Sequence, residues 1–89
     1  MREKAIEDKL VDVVKKNGGL CLKMTGYKGI PDRMILTPAG KVIFVEVKAL
    51  DKELRPEQEA WQKKLRSMNF EAIKIDSVEA VNNIKDLLF

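Results

Sequence analysis

One segment does most to restrict the fold. The run Lys41-Val42-Ile43-Phe44-Val45-Glu46-Val47-Lys48 concentrates β-branched and aromatic side chains, and it reads as a strand. Before it, Thr37-Pro38-Ala39-Gly40 is a turn of the right length for a hairpin, with a partner strand over Asp32 to Leu36. Side chains alternate along a strand, so Glu46 and Lys48 share one face with Val42 and Phe44, and Val45 and Val47 take the other. The first of these faces is apolar where the strand begins and charged where it ends. Such a face either meets solvent at its charged end or builds a site there.

The rest of the chain arranges itself around this hairpin. Arg2 to Lys16 has Ile6, Leu10, Val13 and Val14 at helical spacing. Asn17-Gly18-Gly19 stops that helix, since Asn and Gly accept a left-handed conformation. Leu20 to Met24 is a strand, and Thr25 to Pro31, with Gly26 and Gly29, a loop. Ala49 to Arg55 is a polar loop. Pro56 suits a first helical turn and opens a helix to Met68, with Ala60, Trp61, Leu65 and Met68 on its apolar side and Asn69 as C-cap. Glu71 to Ile75 is a fourth strand. Asp76, with Glu79 three residues on, reads as the capping box of a last helix burying Val78, Val81, Ile84, Leu87 and Leu88. The order is α-β-β-β-α-β-α. It predicts an α/β fold in which helices flank a mixed four-stranded sheet. With 89 residues, positions 1–89 are expected to form one domain.

Composition then narrows the chemistry. The chain has no histidine and one cysteine. Ser-His and Cys-His nucleophile pairs are excluded, and so is a nitrogen/sulfur zinc tetrahedron. Any metal must sit on oxygen ligands, which points to hard divalent ions. Cys21, between Leu20 and Leu22, reads as a buried hydrophobe, and a lone cysteine suits a reducing cytoplasm. No apolar run approaches the roughly 20 residues that span a bilayer. The net charge of +3 is compatible with an acidic partner such as nucleic acid.

The hairpin places Asp32 and Glu46 at the same end, within a residue or two. Two adjacent carboxylates repel unless a cation lies between them. A divalent ion held by Asp32, Glu46, the Val47 carbonyl and waters fits this arrangement. Lys48, beside it, is a candidate to orient or help deprotonate an attacking water. Glu7, at the margin of the first helix's buried stripe, is a candidate to reach the ion directly or through a water.

Gly29-Ile30-Pro31-Asp32-Arg33 followed by Phe44-Val45-Glu46-Val47-Lys48-Ala49 resembles the PD-(D/E)xK nuclease signature. More closely, it resembles the virus-type replication-repair nuclease (VRR-NUC) domain. Ile6-Glu7, Gly18-Gly19, Lys23, Arg55-Pro56 with Gln58, and Ile75-Asp76-Ser77 are also similar to that family, in order over nearly the whole chain. The resemblance implies a restriction-endonuclease-like core, Mg²⁺ or Mn²⁺ dependence and a DNA substrate. It implies metal ligation by Glu7, Asp32 and Glu46, catalysis by Lys48 and support from Gln58. Small stand-alone members of this kind tend to come from phages, and are expected to form homodimers and to act on branched DNA, such as flaps or four-way junctions.

Lys23, Tyr27, Lys28, Arg33 and Arg55 are candidates for contacting that DNA. Trp61 reads as core in preference to a base-stacking platform. Two other classes stay open at this level. One is a DNA-binding module of the same fold without turnover. The other is an accessory protein whose charged strand end is only a surface.

Overall fold

A computed structural model describes residues 2–89. Helix α1 spans Glu3–Lys16, followed by strands β1 (Leu20–Lys23), β2 (Arg33–Leu36) and β3 (Val42–Val47). Helix α2 (Pro56–Ser67), strand β4 (Glu71–Ile75) and helix α3 (Val78–Leu88) complete the expected order. The sheet runs β1-β2-β3-β4, antiparallel across the first two junctions and parallel between β3 and β4. It is the mixed sheet that two hairpins and one β-α-β crossover require.

β3 lies inside the sheet with partners on both sides, as its β-branched composition favours. One of its faces, Ile43, Val45 and Val47, packs under α1 and α3 with Ile6, Leu10, Val14, Val81 and Ile84. The other face carries Phe44, which forms a smaller cluster with Leu65 of α2 and Ala72 of β4. The first helix stops as expected: Asn17 caps it and Gly18 takes φ +82°. At the end of α2 the C-cap is Met68 and not Asn69, which lies two residues past the helix and takes the left-handed turn at φ +68°.

Three details differ from the sequence reading. Ser77, not Asp76, caps α3, its hydroxyl accepting from the Ala80 N–H at 3.0 Å. Asp76 instead accepts from the Asp51 backbone N–H. Leu87 is outside the core, 71% exposed, because α3 turns only Val81 and Ile84 fully inward. The inner face of α2 is Gln58, Gln62 and Leu65, whereas Ala60 and Met68 are exposed and Trp61 is half-buried. The reason lies beneath the helix, where the charged end of β3 offers hydrogen bonds and not an apolar floor.

Candidate functional site

The β2–β3 register pairs Arg33 with Val45, so Asp32, one residue before β2, falls opposite Glu46. Asp32 reaches across the junction: its Oδ2 accepts the Val47 N–H at 2.9 Å. The N–H and C=O of one strand residue project to the same side, so the Val47 carbonyl also faces β2 and Asp32. On the far side, the Lys48 N–H donates to the Ile75 carbonyl at 2.9 Å, which ties the strand end to β4.

Glu46 is only 4% exposed. Its Oε2 accepts from Gln58 Nε2 at 2.8 Å, and Gln58 Oε1 in turn accepts the Arg55 backbone N–H at 2.8 Å. That backbone contact fixes which way the Gln58 amide points, so α2 presents a donor to the carboxylate. Lys48 Nζ stands 3.9 Å from the same Oε2 and is also buried. The second oxygen, Glu46 Oε1, has no hydrogen-bond partner. Burial, and next the neighbouring Asp32 charge, push the Glu46 carboxyl up to about 7, against the pull of Lys48. Burial raises Asp32 too, opposed by its bond from Val47. A buried carboxylate with an orphaned oxygen and an acidic neighbour is short of positive charge. The donor set is all oxygen and suits a hard divalent cation.

The α1 carboxylates divide the remaining roles. Glu7 is committed to Arg33, whose Nε donates to its Oε2 at 2.7 Å while Nη1 donates to the Cys21 carbonyl at 3.3 Å. Among the described residues no third Asp, Glu or Cys joins Asp32 and Glu46 in a group close enough to chelate one ion. Glu3, which the sequence reading passed over, lies at the strand end: its Oε1 accepts the Ala49 N–H at 3.2 Å, directly after Lys48. Its charge raises both Asp32 and Glu46, after the larger effect of burial. Spacing held the signal, since Glu3 is four residues before Glu7 and three before Ile6, on the same stripe of the helix.

The DNA-contact candidates separate as well. Tyr27, Lys28, Lys23 and Arg55 are exposed, and Arg55 Nε lies 3.8 Å from Glu57 Oε1. Arg33 is held under the sheet by Glu7 and Cys21 and presents no free guanidinium. Cys21 is half-buried with its thiol pushed up by burial, consistent with a packing role.

Known proteins agree with this architecture. A solved VRR_NUC domain superposes with a TM-score of 0.90, covering 98% of this chain and 97% of that one, at 23% identity. That likeness shows the same α/β fold, three helices about a mixed four-stranded sheet. The VRR-NUC domain model matches residues 2–79, so the chain belongs to the VRR-NUC family of nuclease domains. It is also 39% identical over 79 residues to the candidate nuclease p44 of Acyrthosiphon pisum secondary endosymbiont phage 1, covering 86% of this chain and 85% of that protein.

Proposed function

We propose that the chain is a divalent-metal-dependent endonuclease that hydrolyses phosphodiester bonds in DNA, with branched DNA as its preferred substrate. The observation that carries this reading is the buried Glu46 carboxylate, with Oε1 unpartnered beside Asp32. Asp32, Glu46 and the Val47 carbonyl would hold Mg²⁺ or Mn²⁺. Glu7 would join them only by leaving Arg33, and Glu3 adds negative charge from the strand end. When bound, such an ion supplies Lewis acidity and an acidified water.

The chain's own residues do the rest. Gln58 holds one oxygen of Glu46 and leaves the other, Oε1, without a partner and open to an ion. Lys48 Nζ, anchored near Glu46, is placed to hydrogen-bond an attacking water or to offset charge on the phosphoryl oxygens. The packed strand end shields these groups from bulk water and strengthens their fields.

A homodimer fits the exposed apolar side chains of the edge strand. Leu20 and Leu22 of β1 project together on the α2 face of the sheet, yet α2 packs over β4 at the opposite edge. Among the described residues no helix is long and apolar enough to cross a membrane. The proposed setting is the cytoplasm of a bacterial host.

The test is cleavage of labelled single strands, duplexes, flaps, splayed arms and four-way junctions in Mg²⁺ or Mn²⁺. EDTA and Lys48→Ala serve as controls. Metal-dependent cutting lost in Lys48→Ala supports the mechanism. Mn²⁺ binding without cutting of any substrate points to a silent binding module. Neither binding nor cutting removes the site. Sedimentation showing only monomer at micromolar concentration removes the dimer.

A further inference from the structure

Trp61 is not a core residue, and its surroundings resemble no packing defect. Its indole N–H donates to the Lys28 carbonyl at 2.9 Å, and its ring lies 5.7 Å from that of Tyr27, inclined at 59°. Tyr27 is 70% exposed. Beside them, Trp61, Ala60 and Lys64 line an open depression of about 230 Å³. The turn carrying Tyr27 is fixed in place. The Ile30 N–H returns to the Tyr27 carbonyl at 3.2 Å, and Gly29, at φ +82°, lies so close to α2 that a Cβ there would come within 2.7 Å of the Glu57 backbone.

The geometry points to a binding site for an unstacked nucleobase of the DNA strand, seated in the depression against Trp61, whose ring is backed by that of Tyr27. This rests on the nuclease reading and adds a subsite to it. Three observations select this occupant. The Trp61 ring, Ala60 and the aliphatic stem of Lys64 give an apolar seat the size of one planar group, while the lysine's ammonium is available to the attached phosphate. The Trp61 N–H is already used by Lys28, so the site offers a ring face and no edge-reading donor, which suits any base. Finally, the platform is continuous with the catalytic end. Tyr27 and Asp32 belong to one connection between β1 and β2, and Trp61 stands one helical turn beyond Gln58, which holds Glu46. A base seated here would lie about one helical turn along α2 from the residue that holds Glu46. Duplex interiors keep their bases stacked, so the site favours strands with unpaired positions near the cut.

Trp61 is the only tryptophan, so its fluorescence reports the site directly. The experiment titrates the intact protein in EDTA with an unlabelled thymidine 12-mer and with a blunt duplex, while anisotropy of labelled DNA follows binding independently. Single strand should quench Trp61 at saturation and duplex should not. Tyr27→Ala, at an exposed position, should weaken single-strand binding about tenfold and leave duplex binding within twofold. Lys64→Ala should weaken the single strand in the same sense. Single strand bound by anisotropy with Trp61 emission unchanged overturns the platform, as does equal quenching by duplex. If metal-dependent cutting persists in either case, the nuclease reading stands without it. Failure of every DNA to bind overturns the platform, and cleavage in Mn²⁺ then decides the nuclease reading separately.

Discussion

Replacing Glu46 with glutamine should stabilise the metal-free protein above neutral pH. The carboxyl has its ordinary value of 4.5 in the unfolded chain and rises to about 7 in the fold. The folded state therefore holds this proton more tightly than the unfolded state does. Stability from this group is complete below pH 4.5 and is lost as pH rises through 7. Each pH unit between the two values is worth about 1.4 kcal/mol, so the ceiling is about 3 kcal/mol. Asp32, also raised, acts in the same direction.

In Glu46→Gln the introduced carbonyl can keep the bond from Gln58, and the introduced amide places a donor where Oε1 had none. Against this, the buried Lys48 loses its partner at 3.9 Å. The net expectation is a gain of about 1–2 kcal/mol at pH 8, or about 5–10 °C in Tm for a domain this small. The assay is urea and thermal denaturation of both proteins in EDTA from pH 5 to 8. With no histidine in the chain, no imidazole confuses that window. Adding Mn²⁺ at about 100 times its Kd should raise the wild type by about 2.7 kcal/mol and leave the variant unmoved. Parallel pH profiles for the two proteins, or a wild type more stable at pH 8 without metal, would refute the reasoning.

Other consequences follow from the same geometry. Lys48→Ala should slow cleavage by about 10²–10⁴-fold while calorimetry still shows Mn²⁺ binding; lost binding would make Lys48 structural. Gln58→Ala should free Glu46 Oε2, weaken Mn²⁺ binding several-fold and raise the pH at which cutting begins, whereas an unchanged pH profile would deny it a positioning role. Glu3→Gln should lower Mn²⁺ affinity about 3–10-fold with little change in stability. Glu7→Gln should instead destabilise by about 1–3 kcal/mol, because it leaves the Arg33 guanidinium poorly paired, and a collapse of metal affinity there would show that Glu7 swings onto the ion. Gly29→Ala should destabilise by about 2 kcal/mol or more in urea, from its positive φ and the contact with Glu57, and should slow cutting by displacing Asp32.

The hairpin and the meeting of its two carboxylates were legible because strand alternation is strict. With Lys41 to Lys48 a strand and Thr37 to Gly40 a turn, Asp32 and Glu46 have to meet at one end, and the register places them opposite each other. The helix α1 was legible for the same reason, since Ile6, Leu10, Val13 and Val14 form one apolar stripe. Distances between elements far apart in sequence were not. Nothing local says that Arg33 will take Glu7, 26 residues away, or that Glu3 will cap the chain after Lys48, 46 residues on. Asp76 was misassigned because Ser and Asp both cap well, and only the approach of Asp51 decides which is free.

The error at α2 has a different origin and links fold to site. Helical periodicity assumes that the inner stripe is apolar because the floor beneath it is apolar. Under α2 the floor changes character within one strand: Phe44 meets Leu65, but two residues later Glu46 meets Gln58. A glutamine there satisfies a buried carboxylate that leucine would strand. The true stripe therefore reads Gln58, Gln62, Leu65, and Trp61, the largest apolar residue of the helix, is turned to its flank. A helix whose inward face is amide-rich and whose flank is aromatic is covering a charged centre. In this chain Glu46 accounts for Gln58, while Gln62 accepts from Arg66 of the same helix and Trp61 donates to the Lys28 carbonyl.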